Sequence, residues 1–543
     1  MTISQKIGIL RTANKYSQEQ LADILEVSRQ SVSKWESGAS TPEVDKIIKM
    51  ANLFNITTDD LIRDEIPLAP TYTESLFHPA ESVKFNGKYF GTDGFRGDAN
   101  DQLTADKAYK IGRFLGYYYT QRNQGRRAKI VIGKDTRRSS YMFEYAIVAG
   151  LTASGADAYM LHVTTTPSVS YVARQEQFDC GVMISASHNP YYDNGIKLIN
   201  NLGEKMEDAT LALVEDYIDG KYQDKNVAMG EDLPLAKREK IGVAIDHTAG
   251  RNRYVGYLIS VAANSYRGLK IGLDCANGAS WMIAKSVFSA LGANIYVIND
   301  KPDGVNINEQ AGSTHIGALR KFVRENHLDV GFAFDGDADR CIAVDENGEI
   351  VNGDHIMFVL AKRLKARGLL KDNTVVTTIM SNMGLYKALT DEGMNYIQTT
   401  VGDRYVYEAM VEKNFSIGGE QSGHVIVKKY ASTGDGILTA ILLAEEIMDS
   451  KSTLSKLVFP MKMFPQAIKN VTVTDKSAAA KDSEVLAAVE KISAELGGEG
   501  RILIRQSGTE PMVRVMVEYS NQKKCEAYVE QVAEIIKARG YCK

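Results

Sequence analysis

The pattern of apolar and polar residues changes once along the chain, near residue 65. Before that point, apolar residues recur at helical spacing in short runs that follow residues able to cap a helix. From residue 89 onward, short β-branched and apolar runs alternate with longer helical patterns. This change predicts a small all-α module over residues 1–65 and a larger α/β part. The connector, residues 66–88, contains Pro67, Pro70 and Pro79, which favour an extended chain.

Five runs in the α/β part are almost continuously apolar, as expected of parallel strands that are buried on both faces. They are KIVIG (129–133), CGVMIS (180–185), KIGLDCA (270–276), VGFAFD (330–335) and TVVTTIM (374–380). Helical patterns lie between them, which gives the βαβα order of layered α/β domains. The runs RILIRQ and VRVMVEY, followed by a helical tail, predict a smaller α+β domain from about residue 460.

Composition narrows the class of protein. A chain of 543 residues is long enough for several domains, and its net charge of −4 gives no overall attraction to nucleic acid, so any DNA contact has to be local. The five scattered cysteines include no C-x-x-C pair that would suggest zinc. We expect a cytoplasmic protein, because the N-terminus lacks the pattern of a signal peptide and no apolar run reaches about 18 residues.

The N-terminal module carries the signals of a helix-turn-helix. Ser17 and Gln20 can form a capping box, and Ser28 can cap the next helix. The module resembles Cro-like repressor domains, a likeness that implies binding of double-stranded DNA through the second helix of the motif. The residues expected to face DNA are Arg29, Gln30, Ser31, Ser33 and Lys34, whereas Trp35 is expected to pack inside. With 8 Lys plus Arg against 10 Asp plus Glu, the module has a net charge of −2, which leaves a protein-binding or vestigial role open.

The segment ISASHNP (184–190) follows a predicted buried strand, and we expect its loop to hold Ser187 in an exposed turn at the edge of the sheet. A neighbouring histidine cannot complete a hydrolase triad with this serine, and the sequence contains no G-x-S-x-G elbow. A serine hydrolase is therefore disfavoured.

The segment DGDADR (335–340) places three carboxylates at alternate positions after the run VGFAF. Such an oxygen-rich cluster suits Mg²⁺ or Ca²⁺. An EF-hand is disfavoured because Arg340 stands where that loop needs glycine and a strand pattern precedes it. Three aspartates and an arginine are costly to place together without a cation and an anion, which favours a metal beside a phosphate.

Two later segments suit phosphate and sugar binding: GGEQSGH (418–424) and RQSGTEP (505–511), with Arg514 shortly after. The second combines arginines that can pair with a phosphate, hydroxyl groups, and a glycine that lets backbone N–H groups approach closely. Each segment alone could be a structural loop. Their occurrence in one chain, with the two earlier segments, favours a phosphate-handling enzyme.

The order GTDGFRG (91–97), SASHNP, DGDADR, GEQSGH and RQSGTEP resembles the α-D-phosphohexomutases and spans nearly all of residues 89–543. Within that family, Gln421 and the segments TTVGDRYV (399–406) and NINEQAGSTH (306–315) are most similar to the phosphoglucosamine mutases. One departure is Gln506, where that subfamily usually has proline. It puts the stiffness of the phosphate loop in question but removes no ligand.

The resemblance implies a four-domain α/β enzyme around a central cleft. Three mixed α/β domains are expected over residues 89–250, 251–365 and 366–458, carrying the phosphoserine, metal and sugar loops. A C-terminal α+β domain over residues 459–543 would carry the phosphate-binding loop. The likeness also implies a homodimer.

The resemblance further implies a phosphoserine at Ser187 and an exchange of glucosamine 6-phosphate with glucosamine 1-phosphate through a hexosamine 1,6-bisphosphate. Mg²⁺ would be held by Asp335, Asp337, Asp339 and an oxygen of phosphorylated Ser187. Lys197, Arg96 and His188 would transfer protons or stabilise the moving group, Lys197 as a base only if neighbouring cations lower its pKa, and Arg340 would steady the phosphate. The substrate-binding residues implied are Gly402, Asp403, Glu420, Ser422, His424, Arg505, Ser507, Gly508, Thr509 and Arg514.

Two alternatives remain at this point. A phosphomannomutase or phosphoglucomutase would share the fold and the motifs. A transcription regulator could use the mutase part as a sensor of sugar phosphates, although Ser187 and the metal carboxylates are all present.

Overall fold

The computed structural model describes residues 2–14, 16–25, 27–36, 38–54, 56, 58–63, 87–123, 126–506 and 511–542. The chain divides into two compact units, residues 1–85 and residues 86–543. Most of the predicted connector lies outside the described residues, as do Ser507, Gly508 and Thr509 of the predicted phosphate loop.

The N-terminal unit is all-α and contains the two predicted helices of the helix-turn-helix. Its helices are Ile3–Ala13, Gln18–Leu25, Arg29–Glu36, Val44–Leu53 and Thr58–Ile62. The capping box is confirmed, because Ser17 N donates to Gln20 Oε1 at 2.7 Å and Gln20 N donates to Ser17 Oγ at 3.0 Å. Ser28 Oγ accepts from Ser31 N at 3.2 Å and so caps the next helix. Trp35 is buried in the apolar core of the unit, as predicted.

The described residues of the larger unit form four sheets, one within each of the four predicted domains. The first sheet has the order β1-β2-β6-β5-β3-β4-β7 and the second β12-β11-β10-β8-β9. The third has the order β14-β13-β15-β16 and the fourth β17-β19-β18. The strands are β1 Phe90–Gly91, β2 Gly94–Asp98, β3 Lys129–Lys134, β4 Asp157–Val163, β5 Cys180–Ile184, β6 Asp193–Asn200, β7 Ala244–Asp246, β8 Lys270–Asp274, β9 Asn294–Ile298, β10 Val330–Phe334, β11 Cys341–Asp345, β12 Ile350–Val351, β13 Thr374–Thr378, β14 Asn395–Thr399, β15 Ile417–Gly419, β16 Val425–Val427, β17 Gln466–Thr472, β18 Arg501–Gln506 and β19 Met512–Glu518.

All five predicted parallel strands form, as β3, β5, β8, β10 and β13, and each has a parallel neighbour. Their residues are almost wholly buried, which explains the absence of polar alternation. Each of the first three sheets also has antiparallel pairs toward one side, such as β5 with β6 and β10 with β11. The mixed α/β class predicted from the sequence is confirmed.

Helices cover the sheets, and several begin at a side-chain cap, such as Thr104, Thr165 or Asn352. The helix Thr248–Val261 crosses the domain boundary that was predicted at residue 250. The α-helices of this unit are Ala105–Arg122, Arg138–Ala153, Thr166–Gln175, Asp208–Ile218, Thr248–Val261, Ser280–Ala290, Gly317–Glu325, Gly353–Ala366, Met383–Asp391, Asp403–Glu412, Gly436–Ser450, Leu454–Val458, Lys476–Lys481, Ser483–Leu496 and Gln522–Ala538. Two short 3-10 helices are Arg238–Lys240 and Lys371–Asn373.

The C-terminal domain is α+β as predicted, but it has one strand more than the sequence suggested. β17 pairs antiparallel with β19 along its whole length. Of its seven residues, Ala467 and Val471 are buried and the others are partly buried or exposed, so it lacks the continuous apolar run by which the other strands were predicted. In the described parts of the chain, no helix is both long and apolar enough to cross a membrane.

Candidate active site

Ser187 lies in the loop between β5 and β6, and its side chain is fully buried. The prediction of an exposed turn was wrong. The loop of the second sheet packs against this serine so closely that a Cβ atom at Gly336 would lie 2.4 Å from Ser187 O. Ser187 has a φ of 53°, in the left-handed region, and its Oγ donates to Asp335 Oδ2 at 2.5 Å.

Two buried side chains hold the serine loop in this conformation. Arg137 Nη2 donates to Ser187 O at 3.1 Å and to Asn189 O at 2.6 Å. Asn308 Nδ2, from the second domain, donates to the same two carbonyl oxygens at 2.9 and 3.0 Å. Neither residue was predicted to belong to the site. Together they fix the backbone so that the serine hydroxyl faces the acidic loop.

The acidic loop brings Asp335, Asp337 and Asp339 together after β10, with carboxylate oxygens all within 4.8 Å of one another. The three side chains are buried. Within the described residues, the Oδ1 atoms of Asp337 and Asp339 are buried without a hydrogen-bond partner. Buried carboxylate oxygens without partners are costly, and three such groups at this spacing suit a hard cation. The residues present therefore fit Mg²⁺, and the strand that precedes them is not the helix of an EF-hand.

Burial and the neighbouring carboxylates of Asp339 and Asp337 raise the pKa of Asp335 well above its ordinary value. A bound cation would relieve both the repulsion between these carboxylates and part of the cost of burying Asp335.

Lys197, on β6, is buried among three carboxylates of the site. Its Nζ lies 2.8 Å from Asp337 Oδ2, 3.2 Å from Asp339 Oδ2 and 3.3 Å from Asp93 Oδ2. Burial opposes its charge, but these carboxylates outweigh burial and raise the pKa of Lys197 well above its ordinary value. The carboxylates thus act against the lowered pKa that a role as base requires, and that role stays a prediction.

His188 and Arg340 lie next to each other, with Arg340 Nη1 3.2 Å from His188 Nδ1. Burial, together with the charges of Arg340 and Arg96, lowers the pKa of His188 to about 4. Because a guanidinium can only donate, His188 Nδ1 accepts, and the neutral ring presents Nε2–H as a donor. At neutral pH, His188 is thus an uncharged ring that donates a hydrogen bond through Nε2 and accepts one from Arg340 at Nδ1.

The GTDGFRG loop contributes Arg96 and an aspartate that the sequence analysis did not single out. Asp93 pairs with Arg96 and accepts from Lys197 and Lys205. Burial opposes its ionisation, yet these cations outweigh burial and lower the pKa of Asp93. Arg96 Nη1 also lies 3.3 Å from Asn189 Oδ1, next to the serine loop.

The predicted sugar-binding residues meet in the third domain. Gly402, with a φ of 131°, donates its N–H to Glu420 Oε1 at 3.0 Å, and Ser422 Oγ lies 3.4 Å from Glu420 Oε2. Asp403 begins the next helix and accepts from Lys205. His424 is buried, with Nδ1 3.8 Å from Asp339 Oδ1, so it connects this group of residues to the acidic loop. The neighbouring loops form a pocket lined by Asp93, Lys197, Lys205, Asp339 and Asp403.

Arg505 and Arg514 lie directly opposite each other on β18 and β19. Burial and the charge of Arg514 lower the pKa of Arg505. Like charges in this position destabilise a sheet unless an anion neutralises them. Gln506, the departure from the family pattern, continues the strand and pairs with Val513.

In the N-terminal unit, the helix Arg29–Glu36 presents one polar face. Arg29, Gln30, Ser33 and Lys34 are exposed and Ser31 is half-buried. Arg11, on the first helix, pairs with Glu36 and donates to Tyr16 O at 2.7 Å. It therefore fixes the end of the helix Arg29–Glu36.

Comparison with known proteins matches each part of the chain. Models described as phosphoglucomutase/phosphomannomutase domains match in order: domain I over residues 87–225, domain II over 252–348, domain III over 352–464 and the C-terminal domain over 468–535. A phosphoglucosamine mutase of Lachnospira eligens is 60% identical over 455 residues, which are 84% of this chain and 99% of that protein. The chain belongs to the phosphohexomutase family.

Other relatives of this phosphohexomutase include the phosphoglucosamine mutase of Bacillus subtilis, 46% identical over 83% of the chain and 99% of that protein. Among solved structures, a phosphoglucomutase/phosphomannomutase family protein of Burkholderia thailandensis has a TM-score of 0.68 at 21% identity, covering 83% of this chain and 98% of that one. N-acetylphosphoglucosamine mutase of Aspergillus fumigatus, in complex with GlcNAc-6P and magnesium, has a TM-score of 0.59 at 17% identity, covering 83% and 96%. At these identities the structures show the fold alone.

A helix-turn-helix model matches residues 7–61. The chain is therefore a phosphohexomutase with a helix-turn-helix module at its N-terminus, as the sequence motifs predicted.

Proposed function

We propose that this phosphohexomutase is a phosphoglucosamine mutase that interconverts glucosamine 6-phosphate and glucosamine 1-phosphate in the cytoplasm. The observation that carries the proposal is the buried Ser187 hydroxyl, hydrogen-bonded to Asp335 within a cluster of three carboxylates. Relatives named phosphoglucosamine mutase, 46–60% identical over nearly their whole length, support the choice of sugar.

In the proposed reaction, Ser187 carries a phosphoryl group. A sugar hydroxyl attacks the phosphorus, the bond from phosphorus to Ser187 Oγ breaks, and the hydroxyl proton ends on Ser187 Oγ, where Asp335 accepts its hydrogen bond. The resulting hexosamine 1,6-bisphosphate reverses its orientation in the site and returns its other phosphoryl group to Ser187. Phosphoryl transfer passes through a loose transition state, so positioned cations matter more than a strong base.

The charges around Ser187 suit this chemistry. Mg²⁺ held by Asp335, Asp337, Asp339 and an oxygen of phosphorylated Ser187 would neutralise charge on the moving group. Lys197, Arg96 and Arg340 supply positive charge, and His188 supplies an N–H donor. Lys197, Arg96 and His188 remain the candidates for proton transfer, with His188 Nδ1 engaged by Arg340.

The remaining predicted residues would bind the sugar and its distal phosphate. Glu420 and Ser422 suit the ring hydroxyls, with Gly402, Asp403 and His424 shaping the loop beside them. The opposed Arg505 and Arg514 suit the phosphate that is not reacting, and Ser507, Gly508 and Thr509 complete that loop in the sequence.

A coupled assay tests the proposal. We expect kcat/KM with Mg²⁺ and a trace of bisphosphate to be at least tenfold higher for glucosamine phosphates than for glucose or mannose phosphates. A higher value for mannose or glucose would make the chain a phosphomannomutase or phosphoglucomutase. Absence of turnover with all three would favour a sugar-phosphate-sensing regulator.

We further propose that the N-terminal module binds double-stranded DNA. The exposed polar face of Arg29, Gln30, Ser33 and Lys34, above the buried Val32 and Trp35, favours this function. One module reads only a half-site, so a homodimer would read two half-sites about 34 Å apart. Selection on random duplexes tests this, with a two-fold-symmetric motif as the expected result. A selection without enrichment would leave a protein-binding role.

A further inference from the structure

Lys205 connects the first and third domains beside the pocket. Its Nζ donates to Thr92 O at 2.8 Å, to Asp403 Oδ1 at 2.7 Å and to Asp93 Oδ1 at 3.3 Å. An ammonium group has three donors, and each has an acceptor here. The acceptors come from two loops that are far apart in sequence, so the contact depends on the tertiary fold.

Hydrogen bonds hold the backbone next to Lys205, independently of the contacts that its side chain makes with the third domain. Asn200 Oδ1 accepts from Leu202 N and Glu204 N, both at 3.0 Å. Gly203 O accepts from Ser170 Oγ and, at 2.9 Å, from Ser432 Oγ of the third domain. These bonds order the backbone from which the lysine side chain extends, so the backbone entropy is already lost when the ammonium makes its three contacts.

Each acceptor belongs to a loop that carries site residues. Asp93 Oδ2 pairs with Arg96 and Lys197. Asp403 follows Gly402, whose N–H donates to Glu420. Burial opposes ionisation of Asp403, but Lys205 and His424 together outweigh burial and lower the pKa of that carboxyl. Without the ammonium, two carboxylates would face each other across the domain contact and repel.

We propose that Lys205 is a positioning residue of the mutase reaction. It holds the Gly402–Asp403 loop against the Thr92–Asp93 loop, so that Glu420 and the cations Arg96 and Lys197 act on the same bound sugar phosphate. The effect on kinetics rests on the proposed function, whereas the effect on the loop does not.

The kinetic test compares Lys205→Met with Tyr407→Phe. Tyr407 donates to Glu204 Oε1 at 2.6 Å across the same domain contact, so Tyr407→Phe removes one hydrogen bond there and leaves the three contacts of Lys205 Nζ in place. We expect Lys205→Met to raise KM for glucosamine 6-phosphate about tenfold or more and to change kcat by less than about threefold, because it loosens sugar binding in ground state and transition state alike. Lys205→Arg should recover most of the loss, and Tyr407→Phe should match the parent protein. Unchanged KM in Lys205→Met, or an equal rise in Tyr407→Phe, would overturn the proposal.

A double-mutant cycle separates action through Asp403 from direct contact with substrate. If Lys205 acts by holding Asp403, the double variant Lys205→Met with Asp403→Asn should be no worse than the poorer single variant. Losses that multiply would overturn the positioning role.

Hydrogen exchange gives a readout that needs no turnover. The amides of residues 399–402 should exchange faster in Lys205→Met than in the parent protein and in Tyr407→Phe. Equal exchange would overturn the proposal even in an active enzyme. If the parent protein fails to convert glucosamine phosphates, the proposed function falls, while faster exchange would still support the role of Lys205 in holding the loop.

Discussion

Converting Asp335 to asparagine should make the metal-free protein more stable while removing its response to Mg²⁺. The carboxylate oxygens of the three aspartates lie within 4.8 Å of one another, so each ionised pair repels by about 3.5 kcal/mol at an effective dielectric of about 20. Asp335 faces two such neighbours, and attraction by Arg340 offsets part of that repulsion. The introduced amide can still accept from Arg340 N and can donate to Ser187 Oγ, so the cost of the change is limited to the acceptor that the Ser187 hydroxyl proton loses. We expect a net gain of about 1–3 kcal/mol.

Asp337→Asn is the matched variant, because it makes the same change of charge at a residue that has a cation partner. Asp337 Oδ2 accepts from Lys197 Nζ at 2.8 Å, and losing this ion pair in a buried site should cancel or reverse any gain. The two variants should therefore differ in stability without metal and agree in their loss of Mg²⁺ binding.

The assay is thermal unfolding of dephosphorylated proteins, first with a chelator and then along a Mg²⁺ titration. We expect the Tm of Asp335→Asn in chelator to exceed that of the parent protein by roughly 2–6 °C. The Tm of the parent should rise with Mg²⁺ through preferential binding to the folded state, and neither variant should follow it. A lower Tm for Asp335→Asn in chelator, or an undiminished response to Mg²⁺, would refute the reasoning.

Three further predictions concern the serine, the distal phosphate and the N-terminal module. Ser187→Ala should lower kcat by about 10³-fold or more, because the covalent relay is lost; near-normal turnover in the coupled assay would contradict the assignment. Arg505→Met should raise KM for glucosamine 6-phosphate at least tenfold and weaken inhibition by inorganic phosphate, since a charge-assisted contact is removed; unchanged values for both would exclude the phosphate site. Arg29→Ala combined with Gln30→Ala should abolish binding to the selected duplex, measured by fluorescence anisotropy, while a chain starting at Lys88 keeps full mutase activity. If the Arg29→Ala, Gln30→Ala variant still binds the duplex, or if the chain starting at Lys88 is folded but inactive, the module has another role.

Local signals in the sequence were enough where neighbouring residues decide the structure. The capping box of Ser17 and Gln20 and the five buried strands depend on short-range patterns, and both were predicted. β17 was missed because its half-exposed residues follow no continuous apolar run.

The motifs predicted which residues belong to the candidate site, but they did not predict the burial and the neighbouring charges of those residues. Ser187 is buried because a loop about 150 residues later in the chain covers it, and no local pattern records that packing. The sequence offered Lys197 as a possible base, but it does not record the three carboxylates from two other loops that surround its ammonium group. No local sequence pattern marks Lys205, because the acceptors of its ammonium group lie 113 and 198 residues away in the chain.

The central claim, that Ser187 relays a phosphoryl group to and from an amino sugar phosphate, can be tested in a single turnover. The protein is phosphorylated with radiolabelled bisphosphate, purified, and mixed with unlabelled glucosamine 6-phosphate and Mg²⁺, with Ser187→Ala as the control. We predict that the peptide containing Ser187 carries the label beforehand and loses it to the sugar within one turnover, and that Ser187→Ala is never labelled. Label that stays on the protein, or that also appears on Ser187→Ala, would contradict the account.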